Sequence, residues 1–348
     1  MLINKNKSLR NEVPLNNRRV IFLTEGSRTM GFGHLTRCLA LSQAFLERDY
    51  DSTLIVHGDD SIHSVLPYVD YEKVQWLNGI ESIEPRLQNA ILIVDTFSIT
   101  DDLLNKLSGI STVTILDDFI RRDHYNRLVV DWTINAEKKF YIHKNPYSQY
   151  LLGHKYIALR QPFWDSPKFI IKPVIENILI SFGSGDIRHL SHRILGMLQN
   201  NYPSVMKTVV IGGASLVRGA IEALADPMTT IIFDANAEEM HSCMINADIA
   251  IASGGQTLYE LACAGVPTIS VMLVDNQVDD INGWQEVGFT RHAGLWDDAN
   301  LNHNILSAFH DLKTIESRKS KSIIGQTLVD GQGARRIAEL ILQQGNDC

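Results

Sequence analysis

Val20-Ile21-Phe22-Leu23-Thr24, a polar turn, then Thr29-Met30-Gly31-Phe32-Gly33-His34-Leu35-Thr36-Arg37 is the stretch on which the fold turns. The first run is apolar and β-branched, as a strand requires. From Leu35 to Arg48 the residues Leu35, Leu39, Ser42, Phe45 and Leu46 recur on one helical face. A strand that passes through a glycine turn into a helix is the unit of a parallel sheet covered by helices. Outward from it the unit repeats, with strands predicted at 53–57, 90–95, 112–116 and 128–133. Regular periods lapse between Leu151 and Pro173, a stretch holding Pro162, Pro167 and Pro173. They resume with strands at 177–182, 208–211, 230–233, 248–252 and 268–272, separated by helices near 190–199, 216–225, 237–246 and 258–264.

The chain has 348 residues, more than one core usually serves, so two doubly wound domains are expected. Their predicted bounds are a polar tail at 1–18, a first domain at 19–165, a second at 174–320, and a C-terminal helix at 321–348 that packs back on the first domain. Two such sheets place their strand-to-helix turns across a cleft, where ligands of open α/β sheets bind. A formal charge of -8, with acidic residues spread along the chain, argues against a nucleic-acid partner. No apolar run reaches the ~18 residues of a membrane span, so no integral membrane segment and a cytoplasmic location are expected. Cys38, Cys243, Cys263 and Cys348 lack metal or redox spacing, and His189 and His192 have no third ligand nearby. No metal and no cofactor are expected.

Four turns carry the candidate chemistry. In the first, Gly31 and Gly33 let backbone approach a ligand at a helix start, where free N–H groups favour a diphosphate. His34 stands there either as a general base or as a capping or binding group. Arg37, one turn on, either reaches a phosphate or carboxylate or lies on a solvated face. Gly183-Ser184-Gly185-Asp186 repeats the device in the second half as a nucleotide-binding turn, with Asp186 an N-cap or a catalytic acid. In the third turn, Ser253, Gly254, Gly255 and Thr257 face a diphosphate, while Glu260 either holds ribose hydroxyls or closes a capping box with Thr257. The fourth carries Asn276 and Gln277, whose amides suit sugar hydroxyls or acetamido groups, or turn chemistry. Asp95, Asp117 and Asp118 end strands and either enter the cleft or cap loops.

These residues resemble the UDP-sugar hydrolases of the pseudaminic acid pathway, which cleave UDP-2,4-diacetamido-2,4,6-trideoxy-β-L-altropyranose, and the related spore-coat polysaccharide proteins. The resemblance runs from Val20 to Phe289. It passes through the Gly31 to Arg37 turn, Ile93-Val94-Asp95-Thr96-Phe97, Ile115-Leu116-Asp117-Asp118, the 152–160 segment, the Gly183 turn, Ser253 to Glu260 and Asn276-Gln277. It implies the two-lobed glycosyltransferase architecture called GT-B, with two Rossmann-like domains facing across a cleft. It further implies that His34 activates water to displace UDP with inversion while Glu260 holds the ribose. Phe97 departs from the family, which commonly has tyrosine there. The expected function is hydrolysis of a UDP-linked acetamido deoxysugar by a monomer or weak dimer. The alternatives are an inverting glycosyltransferase of the same architecture, in which the acceptor replaces water, and a non-catalytic nucleotide-sugar binding protein.

Overall fold

A computed structural model describes residues 19–344 apart from 28–29, 65, 67–68, 119–121, 123, 139–146, 184–185, 187 and 213–217. The predicted tail at 1–18 and Cys348 lie outside the described residues. In the first half seven strands form one parallel sheet: β1 (Arg19–Gly26), β2 (Asp51–Gly58), β3 (Tyr71–Lys73), β4 (Ile91–Asp95), β5 (Val113–Leu116), β6 (Leu128–Asp131) and β7 (Gln149–Leu152). Their order is β3-β2-β1-β4-β5-β6-β7. Helices α1 (Gly33–Leu46), α2 (Glu84–Leu87) and α3 (Asp101–Ile110) connect them.

The second half repeats the plan with β8 (Asn177–Ser181), β9 (Met206–Ile211), β10 (Thr229–Phe233), β11 (Ile249–Ser253), β12 (Thr268–Met272) and β13 (Thr290–Leu295). These lie in the order β10-β9-β8-β11-β12-β13. Its helices are α4 (Leu190–Asn201), α5 (Arg218–Leu224), α6 (Ala237–Ile245), α7 (Gln256–Ala264), α8 (Val278–Glu286) and α9 (Leu301–Asp311). Both orders reverse beside the first strand of their half, which opens a crevice at the carboxyl ends of the strands. The expected pair of doubly wound, Rossmann-like units is therefore present.

β1 is buried along all but its first residue because helices cover both faces of the sheet. Val20 and Phe22 meet α1, where Phe22 and Phe45 pack edge to face at 6.1 Å. Ile21 and Leu23 point the other way, into a cluster with Trp76, Leu104 and Leu107. The segment after β7 carries only single 3-10 turns, at His154–Tyr156 and Gln161–Phe163, before β8 begins.

The chain ends differ from the sequence expectation. Where one helix was expected from residue 321, two form, α10 (Ile315–Leu328) and α11 (Gly333–Gln344). Gly331, at φ +78, turns the chain between them. α11 lies on α1, where Arg335 makes a two-pronged bond to Glu47 at 2.9 and 2.6 Å. No helix among the described residues is long and apolar enough to cross a membrane.

Candidate active site

β1 runs into a tight turn in which the Gly31 N–H donates to the Ser27 carbonyl at 2.8 Å. Gly31 takes φ +84, a conformation that favours glycine. α1 then starts at Gly33 with no side-chain cap, and a Cβ added at Gly31 or Gly33 would meet nothing within 4 Å. The helix start is therefore open, with backbone donors unclaimed by any cap.

His34 and Arg37, three residues apart, share one face of α1, and both reach the carboxylate of Asp95. β4 lies beside β1 with Asp95 level with Thr24, so the acid ends its strand directly opposite the helix start. Asp95 Oδ1 lies 2.7 Å from His34 Nδ1. Arg37 donates from Nε to Asp95 Oδ2 at 2.6 Å and from Nη2 to Oδ1 at 2.5 Å. Its Nη1 donates to Asp118 at 2.7 Å, and its guanidinium lies 5.2 Å from the Trp132 ring centre.

Asp95 is wholly buried. Burial pushes its carboxyl up, but the opposing charges of Arg37 and His34 and their hydrogen bonds outweigh burial and hold it well below the usual carboxylate range. A lasting carboxylate on Nδ1 selects the tautomer that carries its proton there and leaves the Nε2 lone pair available. In that tautomer the 3.0 Å approach of Arg37 Nη2 to Nδ1 is proximity, since both atoms are donors. Phe97 packs edge to face on the His34 ring at 4.4 Å.

In the second half, Gly183 stands at φ +77 with open space beyond it, while Ser184 lies outside the described residues. Asp186 accepts from the Leu190 and Ser191 N–H groups at 2.9 and 3.1 Å. Its carboxylate thus occupies the start of α4, where a phosphate would otherwise sit, and of its two sequence readings the capping one describes the geometry.

α7 is different. Gly255, at φ +95, begins it without a side-chain cap and with open space around it. Thr257 lies inside the helix, so it forms no capping box with Glu260. Glu260 is buried instead against Arg160, which donates to it at 2.7 Å. Ser253 is the buried last residue of β11. Gln277 is spent within the turn: it accepts from the Leu273 N–H at 2.9 Å and donates to the Gly254 carbonyl at 3.1 Å. Asn276 beside it is exposed.

The two sheet edges meet at these turns. Tyr259 of α7 accepts the Ile134 N–H at 2.9 Å just beyond β6, and donates to Asp280 of α8 at 2.6 Å. Gln256 donates to the Ala158 carbonyl at 2.8 Å. Sequence reasoning did not single out Trp132 or Glu25, and it reached Arg160 only as the end of the 152–160 segment. Glu25 had a legible signal, an acid two residues after the apolar run of β1. A cavity of about 790 Å³ lies elsewhere, between the 166–171 segment and α10. Its lining mixes Phe169, Ile171 and Ile323 with the charged Lys168, Lys319 and Asp330.

No family profile matches the chain. It is 23% identical over 333 residues to the spore coat polysaccharide biosynthesis protein SpsG of Bacillus subtilis, covering 91% of this chain and 96% of that protein. It is also 23% identical over 273 residues to the pseudaminic acid cytidylyltransferase and UDP-2,4-diacetamido-2,4,6-trideoxy-beta-L-altropyranose hydrolase of Helicobacter pylori, covering 77% of this chain. The chain spans about half the length of that protein, 47%, and 56% of an uncharacterized Methanocaldococcus jannaschii protein. Among solved structures it resembles the calicheamicin glycosyltransferase, with a TM-score of 0.59 at 13% identity over 94% of this chain and 99% of the other. UDP-GlcNAc 2-epimerase from Neisseria meningitidis gives 0.59 at 13% over 93% and 100%. The resemblance read from the motifs therefore holds, and the chain is a GT-B-fold homologue of the spore-coat protein and of the combined pseudaminic acid cytidylyltransferase and UDP-sugar hydrolase.

Proposed function

We propose that this chain hydrolyses a UDP-linked acetamido deoxysugar at its anomeric carbon, releasing the free sugar and UDP in surface-polysaccharide or nonulosonic acid biosynthesis in the cytoplasm. The observation that carries the reading is the 2.7 Å contact between His34 and buried Asp95 at an uncapped helix start. With its Nδ1 proton held by Asp95, His34 takes a proton from water at Nε2. The water oxygen bonds to the anomeric carbon as the carbon–oxygen bond to UDP breaks, with inversion. The leaving diphosphate collects negative charge, which the backbone N–H groups at Gly255 and the α7 dipole stabilise in place of a metal ion. Gly31 and Gly33 leave room for the sugar, with Asn276 above it, and Glu260 meets the ribose while sharing Arg160. Arg37 acts by holding Asp95 rather than by binding a phosphate, because both ends of its guanidinium are engaged.

Incubation with UDP-sugars in water, read by release of UDP and free sugar, tests this. His34→Ala should lower turnover about 100-fold or more, the usual share of a general base, with UDP affinity kept. Unchanged turnover in that variant removes the mechanism. A second reading is an inverting glycosyltransferase, favoured by the likeness to the calicheamicin enzyme. In it the same base deprotonates an acceptor hydroxyl, and UDP release then depends on added acceptor. Tight UDP binding with no turnover of any sugar would mark a binding protein.

A further inference from the structure

The side of β1 that carries Ile21 and Leu23 into an apolar cluster also carries Glu25, by strand alternation. Glu25 is wholly buried. Its Oε1 accepts from the Phe97 N–H at 2.6 Å and, at 3.3 Å, from the Ser98 N–H, which it shares with Thr96 Oγ1 at 2.9 Å. Its Oε2 is buried with no hydrogen-bond partner among the described residues. A half-satisfied buried carboxylate is unfavourable, and an apolar residue there would continue the core. What the carboxylate accomplishes is local: it ties down two consecutive backbone N–H groups of the turn after β4, and that turn presents Phe97.

The Phe97 ring stands against the His34 imidazole at 4.4 Å and 80°. Asp95 grips the imidazole only at Nδ1. One hydrogen bond fixes a ring at one point, and a contact on its flank adds to the packing that holds this buried side chain in one orientation. We propose that Glu25 is a positioning residue for the reaction at His34, acting through the Phe97 turn to hold the imidazole in one orientation between Asp95 and the phenyl ring. The proposal rests on the reading of His34 as the base, and it concerns a residue that itself touches neither substrate nor His34.

The test compares Glu25→Ala, Glu25→Gln and Phe97→Ala by turnover of a UDP-sugar and by the NMR signals of the His34 ring. Misplacing a reacting group by about 1 Å costs up to about 100-fold. Glu25→Ala should therefore lower kcat roughly 10- to 100-fold with KM within about twofold, and should broaden the His34 signals. Glu25→Gln, which keeps one acceptor oxygen in place, should recover most of the kcat and the sharp signals. Phe97→Ala should reproduce the loss, and it decides the matter if Glu25→Ala does not fold. Sharp, unshifted His34 signals in the alanine variants overturn the proposal, as does a loss in KM alone. If the unaltered protein turns over no UDP-sugar, the hydrolase reading fails, while the ring signals still judge the role of Glu25.

Discussion

Asp95 is the residue on which the site depends, because two side chains that could each drift in solvent are fixed by one buried charge. Its two oxygens are shared between a guanidinium and an imidazole. Asp95→Asn keeps the shape, removes the charge and lets Nδ1 lose its proton to the other tautomer. Leaving Arg37 buried without this partner should destabilise the fold by about 3–5 kcal/mol, read by urea unfolding. Turnover should fall by a factor on the order of 10³–10⁴, as for other histidine bases deprived of their acid. The pH dependence has a definite sign. The folded value lies below the unfolded one, so the stability from this carboxylate is complete above the ordinary Asp value of about 3.9 and is lost as pH falls through the depressed folded value. Melting temperature should thus drop more steeply on acidification below about pH 4 in the unaltered protein than in Asp95→Asn. His34 and Asp95 could each be picked out in the sequence by a glycine-flanked turn and a strand end. That Arg37 serves Asp95 and Asp118 could not, since the join spans 58 and 81 residues and depends on strand order.

At the scale of elements, strands buried on both faces were legible, and of the four border strands only β10 was, through its Ile231-Ile232-Phe233 run. β1, β4 and β11 are runs of apolar residues, whereas the border strands β3, β7 and β13 went unread. These are short or polar: β3 is Tyr71-Glu72-Lys73, and β13 carries Arg291 and His292. Helix starts show the same division. Glycines marked where backbone could approach a ligand, but whether a start stays open depends on its cap. Asp186 fills the start of α4 from four and five residues away, while α7 and α1 stay uncapped. The Tyr259 hydroxyl joins the elements of the two halves, taking one bond from beyond β6 and giving one to α8. Tyr259→Phe leaves the Ile134 N–H and Asp280 without this partner. It should cost about 1–3 kcal/mol of unfolding free energy, and hydrogen exchange should quicken at the Ile134 amide.

The whole molecule is two repeats of one plan, and that repetition was the most legible feature because periodicity recurs on both sides of one irregular stretch. The tie between the halves was legible in part, as a C-terminal helix expected to pack back on the first domain. α11 follows the second half in sequence yet packs on α1, with Ala334, Ile337, Ala338 and Ile341 buried. Ile337→Ala should therefore cost about 2–5 kcal/mol, and increased hydrogen exchange in α1 would show the loss reaching the first half. The chain passes from the first half to the second after Ile157 and comes back just before α11. The two passages touch: a Cβ at Gly331 would lie 2.3 Å from the Phe163 carbonyl oxygen, and one at Gly333 would lie 2.1 Å from that of Ile157. Backbone lies against backbone at this crossing, so a side chain introduced at either glycine would have to push the two passages apart.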